Sequence, residues 1–371
     1  MVFHEPILGG ATLSVLRLIP RLEGRGWRFS FWVPAGSALE EALRDRGFEV
    51  AGGDRTVSYS LRALRLPPGP RERLRGMPRY LGALRSYARE RRPALAHVNS
   101  LTTLAEGAAL RATGVPVVAH IHEMIAPGTK GAIARLGVRA VSARAIGVSG
   151  ACAARLAIGG WSPHVVAEGA EYPSEPAVRA RDPEEPPVVA SVGVVSRRKG
   201  SDVFVEAAAI ASARRPGIRF VLVGSPTDPL DAEWAKGVLE RAAVVGVEHM
   251  PRADIPELLR SIDVFALPSR IDPCPISLLE AMGAGLPVVG AASDGIPEQL
   301  AGGEAGVLVE RESPAALAAA IIELLDDPIR AAELGRRARA RALDRYSLDR
   351  QARGVEAVWL EALDRAGAAG R

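Results

Sequence analysis

The chain has 371 residues, 48% apolar and 24% charged, which places it among folded globular proteins and excludes a disordered polymer. That length predicts about two domains of ordinary size, each able to bury its own core. The formal charge of +4 is carried almost wholly by arginine, and two cysteines, Cys152 and Cys274, exclude a disulfide framework and fit a reducing cytoplasm.

No run of about 18 apolar residues predicts a membrane-spanning helix. Met1-Val2-Phe3-His4-Glu5-Pro6 lacks the basic region and apolar stretch of a secretory signal. In chain order, Gly9-Gly10 closes a short apolar segment and opens a helical pattern of Leu13, Leu16, Leu18 and Leu22. Glycines there let a backbone approach a phosphate at a helix start, although the same pair also serves as a plain turn. Arg28 to Val33 reads as a strand. Between 62 and 92 the chain sets Arg62, Arg65, Arg71, Arg73, Arg75, Arg79, Arg85, Arg89, Arg91 and Arg92 among leucines, with Tyr80 and Tyr87. Such a segment can lie on an anionic membrane, or it is a solvated helix face in a chain that uses arginine throughout. Few aromatics and no recognisable module argue against nucleic acid.

Ala94 to Val98 and Val115 to Ile121 read as strands, the second running into His120-Ile121-His122-Glu123. Period-two alternation puts His120 and His122 on one face, one in the core and one at the rim. A metal would need a third ligand, and no spacing offers one. Ala145 to Val148 is a further strand, and Ser149 after it reads as a helix cap.

Glu168 to Pro173 and the Pro- and charge-rich stretch to Pro187 form the best linker. Strands follow at Val188 to Val195, Arg219 to Val223, Val264 to Leu267 and Pro287 to Val289. Strands alternating with helical patterns predict an α/β protein of doubly wound parallel sheets. Past residue 313 the chain is helical, with breaks at Asp327-Pro328 and near Tyr346. The first of these strands leads into Arg197-Arg198-Lys199-Gly200. Cations at a strand's carboxyl end suit a diphosphate leaving group, or they are a surface cluster. No Gly-x-Gly-x-x-Gly accompanies the strand, which argues against a dinucleotide enzyme.

The richest stretch is Pro268 to Gly290. Pro273 and Pro275 stiffen a loop, a short helix follows, and it is expected to begin at Pro275 and stop at the Gly283/Gly285 pair. Ile276 and Ser277 would present unpaired amides there. Asp272 lies in the loop and Glu280 one turn inside the helix, both able to face the carboxyl end of a parallel strand, where open α/β sheets bind ligands. A turn-forming Asp272 and a solvated Glu280 are the plain alternative. Cys274 has no helper histidine close in sequence and is not read as a nucleophile.

Pro-Ser-x-x-Asp-Pro-x-Pro-x-x-x-Leu-Glu-Ala-Met, followed by Gly-x-Pro-Val-Val, resembles the carboxyl-terminal signature of the family 4 retaining glycosyltransferases of GT-B fold, also called glycosyl transferases group 1. The resemblance implies two Rossmann-like domains facing a central cleft: an acceptor-side domain over 1–170, with a last helix 347–371 packing back on it, and a nucleotide-sugar domain over 171–346. It implies that Glu280 bonds the ribose, that Asp272 with the Ile276 and Ser277 amides holds the donor sugar, and that Lys199 clamps the diphosphate. Gly9, Gly10 and Gly224 join the donor-binding set, and His122 points at the donor sugar. Two positions depart from the family pattern: Asp272 stands for the usual glutamate, and Val194 for an arginine, so that either Arg197 or Arg198 reaches around to replace it or the clamp is weakened.

The implied activity is transfer of a hexosyl-type sugar from a nucleotide-sugar donor to a glycan, lipid-linked or small-molecule acceptor in cell-envelope polysaccharide or glycoconjugate biosynthesis. It would run in the cytoplasm or at the inner face of the cell membrane, with no cofactor and no metal. A non-catalytic nucleotide-sugar-binding homologue, a GT-B epimerase or hydrolase, and a membrane-surface protein are the rival readings.

Overall fold

The structure, a computed structural model, describes residues 1–4, 9–53, 70–176 and 184–369. Arg62 and Arg65, the side chains of Arg71 and Arg73, the segment before Gly9 and part of the linker lie outside the described residues. The chain divides into two compact units, Met1–Ala167 with Leu348–Arg371, and Glu168–Ser347.

In the first unit β1 (Ser30–Pro34) pairs with β2 (Glu49–Gly53), and β3 (Ala96–Asn99), β4 (Val117–Ile121), β5 (Arg144–Gly147) and β6 (His164–Val165) form a sheet in that order. All these pairings are parallel. Val2 bridges to both Trp32 and Val98, so the amino-terminal residues tie the two ladders together. The helix Leu348–Ala369 belongs to this unit. Its stripe of Leu348, Ala352, Val355, Trp359 and Ala362 recurs at three- and four-residue spacing and is buried against Leu18, Leu22, Val118 and Ile146. Trp359 Nε1 donates to His97 Nδ1 at 3.0 Å, which satisfies the indole at the centre of that packing.

The arginine-rich segment forms the helix Pro70–Arg91. Its Leu84 and Ala88 are buried, whereas Arg75, Arg79, Arg89 and Arg91 are exposed. At Leu84 and Ala88 the apolar face of this helix is therefore taken up by the protein's own core. Among the described residues, no helix is long and apolar enough to cross a membrane.

The second unit is one six-stranded parallel sheet of β7 (Val188–Val192), β8 (Arg219–Val223), β9 (Val247–Met250), β10 (Val264–Leu267), β11 (Val288–Ala291) and β12 (Val307–Val309). Its order is β12-β11-β10-β7-β8-β9. The chain runs outward from β7 to β9, returns to β10 on the other side of β7, and runs outward again. The order thus reverses between β7 and β10, the crevice where doubly wound sheets take ligands. Two helices, Pro314–Asp326 and Pro328–Arg345, follow β12 and break at Asp327, whose side chain caps Arg330 N at 2.9 Å.

Two details correct the sequence expectation. Pro275 is the cap before the helix Ile276–Ala284 and not its first residue, because its ψ of 117° is still extended. The helix also runs through Gly283 and ends at Gly285, with φ +84°. Gly283 is needed for space: a Cβ there would lie 1.9 Å from the Tyr172 ring.

Candidate active site

Beyond β7 the chain turns through Gly193–Gly200 into the helix Ser201–Arg214. Gly200 has φ +68°, and a Cβ on it would lie 2.1 Å from the Pro268 carbonyl oxygen, so the loop after β7 rests directly on the loop after β10. Gly224, just beyond β8, has φ +133° and would bring a Cβ within 2.0 Å of the Gly193 carbonyl oxygen. It supports the turn from below. The stem of Lys199 lies over Gly193, 3.4 Å from where a Cβ would stand.

This packing delivers Lys199 to Asp272. Lys199 Nζ donates to Asp272 Oδ2 at 2.8 Å, and Ser269 Oγ donates to the same oxygen at 2.9 Å. The side chains of Lys199 and Asp272 are 14% and 6% exposed. Burial pushes the lysine pKa down and the adjacent Arg198 adds to that, while the Asp272 carboxylate opposes both. Arg198 stands 3.7 Å from Asp272 Oδ1 and donates to the Ile271 carbonyl at 3.1 Å. Arg197 does not converge with them. Its guanidinium lies 5.0 Å over the Trp234 ring and 3.8 Å from Asp231.

The backbone of Asp272 is held as firmly as its carboxylate. Its N–H donates to Asp294 Oδ2 at 2.8 Å and its carbonyl accepts from Gly295 N at 3.1 Å. Asp294 itself has φ +45°, a strained value for a non-glycine residue. Arg270 staples the two loops: it grips Asp202 with two bonds of 2.7 and 2.9 Å, Glu312 at 2.7 Å and the Arg197 carbonyl at 2.8 Å. Those carboxylates push the Arg270 pKa above its ordinary value.

The helix Ile276–Ala284 starts without a side-chain cap, which leaves the Ile276 and Ser277 amides at its positive end. Ser277 Oγ is buried with no hydrogen-bond partner among the described residues. Glu280 is half-buried one turn on. Cys274 is buried and accepts from Gln299 Nε2 at 3.3 Å. Burial, with Glu168 nearby, pushes its thiol pKa well up, which keeps it protonated and poorly nucleophilic.

In the first unit His122 follows β4 and its Nε2 lies 2.7 Å from Asn99 Oδ1 at the end of β3. Asn99 Nδ2 donates in turn to the Ala11 carbonyl at 3.3 Å, in the helix Gly10–Leu16 that Gly9 precedes. His120 is the core member of the pair, 0% exposed, its ring 4.3 Å from that of His122. Burial holds His120 well below the usual histidine range. Glu123 accepts from Ser100 Oγ and from the Leu101 amide at 3.3 Å, and Ser100 has φ +86°. Ser149 is a helix cap, accepting from Cys152 N at 3.1 Å.

Sequence reading missed Ser269, Asp294, Arg270 and Asn99. Ser269 lies inside the motif, and Asp294-Gly295 is a turn dipeptide, so both carried a signal. Arg270 was hidden among 47 Lys and Arg residues.

The family described as glycosyl transferases group 1 matches residues 177–341, and that described as glycosyl transferase 4-like domain matches residues 9–157. An alpha-maltose-1-phosphate synthase of Mycolicibacterium smegmatis is 36% identical over 176 residues, 43% of this chain and 44% of that protein. A D-inositol 3-phosphate glycosyltransferase of Segniliparus rotundus is 34% identical over 181 residues, 47% of this chain and 40% of that protein. The chain thus spans less than half the length of these curated relatives. Among solved structures, Anabaena HepE in complex with UDP and glucose has a TM-score of 0.78 at 20% identity, covering 96% of this chain and 97% of its own.

Proposed function

We infer the activity from one premise: this chain belongs to the group 1 glycosyltransferases and carries the GT-B fold. On this reading it moves a hexosyl-type sugar from a nucleoside diphosphate sugar to a hydroxyl of a glycan or lipid-linked acceptor, with retention at the anomeric carbon. The observation that carries the reading is the Lys199–Asp272 pair at the reversal of strand order between β7 and β10. An ammonium has three donors, and Asp272 occupies one. The others serve the diphosphate, whose charge grows as the glycosidic bond breaks and its electron pair moves to the phosphate oxygen. The Ile276 and Ser277 amides and Arg198 add to that stabilisation. The acceptor oxygen then bonds the anomeric carbon from the same face and passes its proton to the departing phosphate oxygen.

Asp272, with its second oxygen, holds donor-sugar hydroxyls, Glu280 the ribose diol, and His122, braced by Asn99, a sugar hydroxyl. With the cations of the chain doing the work of charge neutralisation, neither metal nor cofactor is required. Binding of UDP and glucose by HepE supports a nucleoside diphosphate donor. The test is a panel of nucleotide sugars, read by calorimetry and by slow release of nucleoside diphosphate. One donor should bind and turn over. Binding by none of them overturns the reading.

One observation favours a second reading. Val194 stands where the family has an arginine, and Arg197 is engaged with Trp234 and Asp231. A nucleotide-sugar-binding homologue without transferase activity would bind a donor and release nothing to any acceptor. Donor turnover that no acceptor accelerates would instead identify an epimerase or hydrolase.

A further inference from the structure

We propose that the helix Thr129–Val141 rests on an anionic membrane surface, with Ile133 and Leu136 entering the lipid. The helix is fixed to its unit along one side. Val138 is fully buried, Ser142 Oγ donates back to the Val138 carbonyl at 2.6 Å, and Gly131 packs so closely that a Cβ would lie 1.9 Å from the Ala126 carbonyl oxygen. The opposite stripe, Thr129, Ile133, Leu136 and Ala140, faces outward. On a surface helix of a soluble protein that stripe is polar. Here Ile133 is 65% exposed and Leu136 52%. Among the described residues they are the two large exposed apolar side chains that lie within one helical turn of each other.

Charge chooses the occupant. The thirteen residues TKGAIARLGVRAV hold three cations and no acid. At 100° per residue, exposed Lys130 and Arg139 fall on opposite sides of the apolar stripe. An apolar stripe flanked by cations is the pattern of a helix lying in a lipid–water interface, and each cation adds about fivefold to partitioning onto an anionic surface. The arginine-rich helix Pro70–Arg91 does not have this form, because its Leu84 and Ala88 are buried in the protein. The use of such a surface rests on the transferase reading: the helix begins seven positions after His122, so it would bring the end of β4 to a lipid-linked acceptor.

The experiment is co-sedimentation of the full chain with vesicles of phosphatidylcholine alone or mixed with phosphatidylglycerol, at low and high salt. The wild type should bind the mixed vesicles and release them as salt rises. Ile133→Gln with Leu136→Gln should weaken binding at least about tenfold, and Lys130→Glu with Arg139→Glu by a similar factor at low salt. All four side chains are exposed, so melting temperature should not move, and nucleotide-sugar hydrolysis without vesicles should match the wild type. No binding by the wild type, or equal binding by the variants, overturns the proposal. Self-association that the glutamines abolish overturns it too, since a second copy would then cover the stripe. If no nucleotide sugar is turned over by any of the proteins, the transferase reading fails while the vesicle result stands on its own.

Discussion

Lys199 Nζ and Asp272 Oδ2 are 2.8 Å apart across 73 positions of sequence, and each side chain is largely shielded from water. The pair joins the loops at the two central strands of the second unit. It therefore has a structural consequence as well as a chemical one, and the two can be measured separately.

Lys199→Ala leaves Asp272 as a buried carboxylate with Ser269 and the more distant Arg198 for company. Stability measured by urea unfolding should fall by about 3 kcal/mol. Turnover of the donor should fall about 10²-fold or more at a temperature where the variant is folded. Lys199→Met together with Asp272→Leu should recover much of the stability and none of the turnover. An unaltered rate in folded Lys199→Ala would remove the lysine from the mechanism.

Glu280→Ala should weaken nucleotide-sugar binding by roughly 1.5–3 kcal/mol, the range for a charge-assisted bond to a diol. Calorimetry with the nucleoside diphosphate alone should show the same loss, because the diol belongs to the ribose. Affinity equal to the wild type would leave Glu280 a solvated helix residue.

Gly200→Ala tests the contact that brings the two loops together. Its φ of +68° disfavours any side chain, and the added Cβ meets a carbonyl oxygen of the neighbouring loop at 2.1 Å. The loss should be at least ~2 kcal/mol, read as a lower urea midpoint at constant m. A change within 0.5 kcal/mol, the scatter of ordinary surface substitutions, would mean that the loops do not pack this way.

The part of this site that the sequence shows is local. Val264–Leu267 and Arg219–Val223 read as strands with their observed bounds, because continuous β-branched and apolar runs between turn residues leave little choice. β9 and β12 were missed for the opposite reason. Both are short edge strands: β9 has only Val247 buried and no apolar run, and β12, although wholly apolar, is only three residues long. Asp272, Glu280 and Lys199 could be picked out singly from their motifs. That Lys199 reaches Asp272 follows from parallel β7 and β10 lying side by side, and that Asp294 holds the Asp272 amide follows from β11 lying beside β10, which no local spacing encodes. Arg197 and Arg198 were equivalent in sequence, and only the turn before Gly200 sends one toward Asp272 and the other toward Trp234.

Chelation offers a separate check on the chemistry. If Lys199, Arg198 and helix-start amides neutralise the leaving group, donor turnover should persist in EDTA. Full loss of activity, restored by a divalent ion, would make the reaction metal-dependent and reduce Lys199 to an accessory role.

Glu106, in the first unit, gives a pH dependence of its own. It is 1% exposed, accepts from Tyr80 Oη at 3.0 Å through one oxygen, and its other oxygen has no partner among the described residues. Burial pushes its carboxyl up to about 7 from an ordinary 4.5. Between those values the folded protein keeps a proton that the unfolded chain has released, so stability falls as pH rises. The effect is absent below pH 4.5, grows to about pH 7 and is constant above, amounting to about 3 kcal/mol. The histidines act in the other direction: burial holds His97 down at about 3, so the folded protein loses stability as pH falls below 6.5. Glu106→Gln retains that second trend and removes the first. Urea unfolding at pH 5 and pH 8 should therefore show the variant gaining on the wild type at the higher pH by about 2.5 kcal/mol, since part of the effect is already present at pH 5. Equal losses in the two proteins would show that Glu106 ionises in the fold as readily as in the open chain.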